Sequence, residues 1–178
     1  MLRLMLLRHA KTERDSPTGL DRDRRLDSRG RKNAPDIANW MATHGLIPDF
    51  ALVSTAVRAH ETWQLVADKM PRKLHAEPVA DLYGADPSQL LQIARSAGTR
   101  GQALPHSVLI VAHNPGLHEF ALALVATGEP AGREALAHNL PTSGLAVIDF
   151  DAADWTGIGV RTGRLERFIT PALLRPKA

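Results

Sequence analysis

From Leu2 to Leu7 the chain is apolar at every position except Arg3, and the run stops abruptly at Arg8-His9-Ala10-Lys11. A strand with one face in water would alternate apolar and polar residues. A nearly continuous apolar run without Pro or Gly instead fits a central parallel strand covered on both faces, which belongs to a sheet lying between helix layers. In open α/β sheets, ligands collect just beyond the carboxyl ends of such strands. Arg8 and His9 stand at that end, a guanidinium fork beside an imidazole able to act as a nucleophile near neutral pH. Taken alone, the pair is also what a strand-capping salt bridge beside an ordinary loop histidine would look like.

The rest of the chain repeats the alternation of strand and helix. Thr12 to Arg25 carries Asp15, Ser16, Pro17, Thr18 and Gly19, which is loop chemistry over the first strand's end. Asp21 to Lys32 holds six basic and three acidic residues, interspersed as on a solvated face. Asp27 is placed to cap a helix running to about His44 with Gly45 as its stop, while Pro35 must kink it or mark its true first turn. Phe50–Ser54 reads as a second strand, about Ala56–Met70 as a helix, and Leu74–Pro78 as a third strand. Asp86 before Pro87 predicts another capped helix to about Ala97. Ser107–Ala112 is the strongest strand signal and ends at His113-Asn114-Pro115-Gly116. A helix over about Leu117–Thr127, a connection to Thr142, strands at Leu145–Phe150 and Leu165–Ile169, and a Pro-containing tail complete the reading. The expected fold class is α/β: one three-layer domain over residues 1–178, with a mostly parallel central sheet and helices on both faces.

Three strand ends therefore carry Arg8-His9, Arg58 and His113, and in a parallel sheet these ends share one edge. Two imidazoles and two guanidiniums, with no carboxylate among them to balance the charge, are costly to bring together unless an anion fills the cluster. A phosphoryl group suits it: arginine forks match its oxygens in pairs, and the helix after His113 adds its N-terminal dipole.

The totals narrow the classes further. Twenty-two Lys and Arg against 19 Asp and Glu leave an excess of three, too small to argue for nucleic acid. The absence of cysteine excludes disulfides, a thiolate nucleophile and a Cys-ligated zinc, and no HExxH or Walker-type loop is present, so neither a metal nor another cofactor is expected. The N-terminal run is too short to span a membrane and lacks the parts of a signal peptide. A cytoplasmic protein without membrane partners is the expectation, with its oligomeric state left open.

The motifs carrying the cluster resemble those of the histidine phosphatase superfamily, which includes phosphoglycerate mutases, and within it the SixA-like phosphohistidine phosphatases. Leu7-Arg8-His9-Ala10-Lys11 is similar to the family's Arg-His signature, and Arg24-Arg25-Leu26-Asp27-Ser28-Arg29-Gly30 to its Arg-x-Leu-x-x-x-Gly segment. Ser54 to Thr62 follows a Ser-x-x-x-Arg-x-x-x-Thr pattern, and His113-Asn114-Pro115 resembles the second histidine's motif. The resemblance implies a phosphoglycerate mutase-like fold and a metal-independent phosphatase. In it His9 attacks phosphorus, Arg8, Arg58 and His113 hold the phosphoryl oxygens, and Asn114 and Arg25 join in binding substrate.

Many ester-cleaving relatives place a glutamate between the third strand and the next helix as general acid. Here that region offers only Glu77, Asp81 and Asp86, of which Asp81 is the candidate general acid. A phosphohistidine imidazole needs less protonation to leave than an alkoxide, so the expected substrate is a phosphorylated protein bearing phosphohistidine. A phosphatase or mutase on small phosphate esters and a non-catalytic phosphoprotein-binding module are the alternatives.

Overall fold

The computed structural model of the chain describes residues 1–101 and 103–177. Its elements are β1 (Leu2–Arg8), α1 (Ser28–Thr43), β2 (Phe50–Ser54), α2 (Val57–Ala67), β3 (His75–Val79), α3 (Pro87–Arg95), β4 (Ser107–Ala112), α4 (Gly116–Leu124), β5 (Val125–Gly128), α5 (Pro130–His138), β6 (Leu145–Phe150), β7 (Gly163–Ile169) and α6 (Pro171–Leu174). Seven strands form one sheet in the order β3-β2-β4-β1-β6-β7-β5. Only β6 runs against the others, pairing antiparallel with β1 and β7.

The apolar run of β1 is buried because it lies between two neighbours, and its alternate side chains feed two different cores. Leu2, Leu4 and Leu6 join Leu117, Phe120 and Trp155 on one face, the face covered by α3 and α4. Met5 and Leu7 join Ile37, Met41 and Val66 beneath α1 and α2 on the other. The connection after β1 thus leaves over one face and that after β4 over the opposite face, although the two strands are paired neighbours. The crevice outside their carboxyl ends is left open, as at the switch points of α/β sheets.

Local chemistry accounts for several helix starts. The Asp27 side chain accepts the Gly30 N–H at 2.8 Å to start α1. Asp86 and Gln89 form a reciprocal capping box at α3, with Pro87 in its first turn. Gly30 is required by a close approach: a Cβ there would strike the backbone carbonyl of Lys11, in the loop after β1. Gly116 is held in the same way against the Ala85 carbonyl. Both contacts press a loop of the crevice onto a helix start.

One open alternative is decided and two expectations are corrected. Pro35 lies inside α1 and does not mark its first turn; Asp27 caps the helix eight residues earlier, and the later proline removes one internal hydrogen bond without ending it. The helix after His113 stops at Leu124, where Val125–Gly128 turns into β5, an edge strand paired only with β7. The connection before Thr142 contains α5, started by Pro130 and capped by the Glu129 carboxylate.

Candidate active site

Register brings the expected side chains together. Arg8 of β1 pairs with Ala112 of β4, so His9 and His113 each stand one step past the sheet at the same level. Their ring centroids are 5.2 Å apart. The His9 Nδ1–H donates to the Ala10 carbonyl at 2.8 Å, which leaves Nε2 as the ring nitrogen with a free lone pair. Ser54, at the end of β2, sets its hydroxyl 2.6 Å from His113 Nε2. When that hydroxyl donates, the proton of the neutral His113 ring lies on Nδ1, a buried atom without a partner. Thr62 of α2 accepts the Ala10 N–H at 2.9 Å and donates to the Arg58 carbonyl at 2.7 Å, joining the nucleophile-bearing loop to the helix that presents Arg58.

A loop before β6 closes one side. Because β6 is antiparallel to β1, its start lies beside the end of β1. The Ser143 N–H is shared by the carbonyls of Arg8 and His9, at 3.1 and 3.2 Å. The Leu140 carbonyl accepts from Arg8 Nη1 at 3.2 Å and from Asn114 Nδ2 at 2.8 Å. Arg8 Nε, His113 Nδ1, Asn114 Oδ1 and the Ser143 hydroxyl are buried and unpaired. So many unsatisfied polar atoms around one crevice are costly unless a polar ligand meets them.

The expected cluster contained no carboxylate; the structure supplies one. Asp21, in a short 3₁₀ turn, receives both terminal nitrogens of Arg58: Nη1 donates to its backbone carbonyl at 2.9 Å and Nη2 to Oδ2 at 3.1 Å. The Tyr83 hydroxyl donates to the same Oδ2 at 2.7 Å, and Arg24 Nη1 donates to Oδ1 at 3.1 Å. Tyr83 also sets its ring edge-on to His113, centroids 5.6 Å apart. Hydrogen bonds from Tyr83, Arg24 and Arg58 hold the Asp21 carboxyl down at about 2. Burial, aided by the positive charges of His113, Arg58 and Arg8 and opposed by the Ala10 contact, pushes His9 to about 3. Burial and the Arg58 charge push His113 to about 4, with Asp21 pulling the other way. Both imidazoles are therefore neutral at pH 7, and a neutral imidazole is the nucleophilic form.

Residues 4–83 match the profile of the histidine phosphatase superfamily (branch 1). The Agrobacterium tumefaciens protein assigned as phosphohistidine phosphatase SixA superposes with a TM-score of 0.78 at 31% identity, over 96% of this chain and 98% of that one. The chain belongs to the histidine phosphatase superfamily, in its SixA-like branch. An uncharacterized protein of Mycobacterium leprae is 30% identical over 93% of this chain and 99% of its own length. The protein histidine phosphatase SixA complexed with tungstate shares the fold at a TM-score of 0.77 and 22% identity, over 98% of this chain and 100% of that one. No helix among the described residues is long and apolar enough to cross a membrane.

Within this family framework the structure brings Arg8, His9, Arg58, His113 and Asn114 together, and it separates two other expected residues from them. Arg24 and Arg25 both line a groove with Lys11 and Arg14, but Arg24 bonds to Asp21, Thr12 and the Glu13 carbonyl, whereas Arg25 is exposed and makes no side-chain hydrogen bond among the described residues. Asp81 is exposed, and no hydrogen bond or ion pair among the described residues ties it to the cluster; Tyr83, two residues on, is the side chain of that segment that arrives. Sequence reasoning missed Asp21, Tyr83 and Ser143. Tyr83 is the chain's sole tyrosine, which was the one available signal. Asp21 was hidden in a charge-rich loop, and Ser143 in a connection without periodicity.

Proposed function

We propose that this family member is a metal-independent phosphatase acting through a phosphohistidine intermediate. The carrying observation is the buried, neutral His9 whose Nδ1–H is fixed on Ala10, so that Nε2 keeps its lone pair within reach of the charges of Arg8 and Arg58. Nε2 forms a bond to phosphorus as the bond to the leaving group breaks, and the leaving nitrogen takes a proton from water. Water then attacks the phosphoryl-His9, the Nε2–P bond breaks, and inorganic phosphate departs. In-line transfer asks chiefly for positioning and charge stabilisation. Arg8, Arg58 and His113 Nδ1 serve the phosphoryl oxygens in this reading, Asn114 donates to the Leu140 carbonyl that also holds Arg8, and Arg25 and Asp81 take no part in the chemistry.

The favoured substrate is a protein-borne phosphohistidine. Among the described residues no carboxylic acid is poised to protonate an alkoxide, because Asp21 is ionised on Arg58 and Asp81 is exposed. A P–N bond cleaves with less acid assistance. The short segment between β3 and α3, residues 80–86, also leaves the crevice reachable by a folded partner.

The test compares a phosphohistidine protein, a phosphoramidate and an alkyl phosphate monoester in single-turnover reactions of wild type, His9→Ala and Asp81→Asn. Wild type is expected to cleave the P–N substrates far faster and to form an acid-labile, base-stable phosphoenzyme. His9→Ala should form none and turn over nothing, and Asp81→Asn should behave as wild type. A better rate on the ester, abolished by Asp81→Asn, would instead establish a small-ester phosphatase with Asp81 as its acid. Binding without turnover by wild type would establish a phosphoprotein-binding module.

A further inference from the structure

Arg24 and the terminal nitrogens of Arg58 already have an anionic partner. Arg58 commits both terminal nitrogens to Asp21, Arg24 commits one to the other carboxylate oxygen, and Tyr83 completes the clasp. The Asp21 side chain is 51% exposed and Tyr83 is 41% exposed, so the clasp lies at the solvent-facing side of the cluster. Arg8, by contrast, keeps a buried, unpaired Nε inside the crevice. Arg8 thus keeps a free donor for the transferred phosphoryl group and Arg58 keeps its Nε, which makes no hydrogen bond among the described residues, while Arg24 and the terminal nitrogens of Arg58 are turned to Asp21.

We infer that Asp21 is the residue that sets leaving-group charge specificity in this site: its carboxylate neutralises Arg24 and the outer edge of Arg58, and so disfavours substrates with a second anionic group beside the phosphoryl. This inference deepens the phosphohistidine reading and rests on it. A protein-borne phosphohistidine has a neutral imidazole beside phosphorus, whereas a phosphorylated hydroxy acid or free phosphoamino acid brings a carboxylate within a few bonds. At the mouth that carboxylate meets a cation pair already satisfied and a resident negative charge. Substitution Asp21→Asn keeps one carbonyl oxygen for Arg58 and Tyr83 but turns an amide N–H toward Arg24, which releases Arg24 from its partner. The mouth then gains net positive charge while its shape is nearly preserved.

The experiment uses two aryl phosphates that carry, at the same ring position, either a carboxylate or a trimethylammonium group. The quantity read is the ratio of their kcat/KM values, carboxylate over ammonium, in which the intrinsic reactivity of each substrate cancels between enzymes. Asp21→Asn is expected to raise that ratio on the order of 10-fold, the size of one charge–charge interaction at a partly exposed site. Arg24→Gln should lower it. Tyr83→Phe, which removes a neutral donor and no charge, should leave it within about twofold. An unchanged ratio in Asp21→Asn, or equal losses on both substrates, would overturn the inference and reduce Asp21 to a strut for Arg58. Calorimetric binding of the matching non-hydrolysable phosphonates measures the same ratio without turnover. A wild-type protein lacking phosphatase activity would therefore refute the proposed function while the charge preference is still decided.

Discussion

Lowering the pH should unfold this protein through its own active site. His9 and His113 are held near 3 and 4, below the ordinary histidine value of 6.5. A buried imidazole whose folded value is lowered binds its proton less readily than in the unfolded chain. The stabilising contribution is therefore complete above pH 6.5 and is lost progressively as pH falls towards the folded values. At pH 5, about 1.5 units below the unfolded value, each ring contributes a loss of about 2 kcal/mol, or about 4 kcal/mol for the pair. That is a large part of a typical domain's stability of about 5–15 kcal/mol. Asp21 and Asp154 also have lowered values, but their contributions are lost only below the ordinary carboxylate range, so pH 5 to 7 isolates the histidines. Urea unfolding at pH 7 and pH 5 should show wild type losing about 4 kcal/mol more than a His9→Asn/His113→Asn variant. Ring-proton NMR should show neither resonance titrating between pH 5 and 8. Midpoints near 6.5, or equal pH dependence in wild type and variant, would refute the burial argument.

Two further expectations follow from geometry. Arg58→Ala and His113→Ala should each lower the single-turnover rate about 100- to 1000-fold, the usual consequence of removing one preorganised donor; a loss of less than tenfold would show that the group does not meet the transferred phosphoryl. Gly116→Ala should destabilise the chain by at least about 1–3 kcal/mol in urea titrations, because its Cβ strikes the Ala85 backbone carbonyl and no flexible side chain can give way; unchanged stability would show that the α4 start and the Ala85 loop can separate freely.

Much of the molecule was legible in one dimension because the relevant physics is local. Burial on both faces wrote the apolar runs of β1 and β4, and each run ends where its histidine begins. Asp27 and Asp86 marked helix starts because a cap bonds to a backbone N–H only three residues away. The parallel register then follows from the alternation of strand and helix, and it carries Arg8, His9, Arg58 and His113 to one edge. Other features needed the tertiary structure. β5 exists because β7 offers it an edge, and four residues cannot signal a strand whose pairing partner lies far along the chain. Asp21 meets Arg58 across 37 positions and Tyr83 across 62, so no spacing rule could show that the pocket holds a carboxylate or that Asp81 does not reach it. The sequence determined which groups stand at the strand ends, since register conveys them there. Which charges remain free at the mouth was decided only when the loops around those ends folded over one another and their side chains competed for the same oxygens.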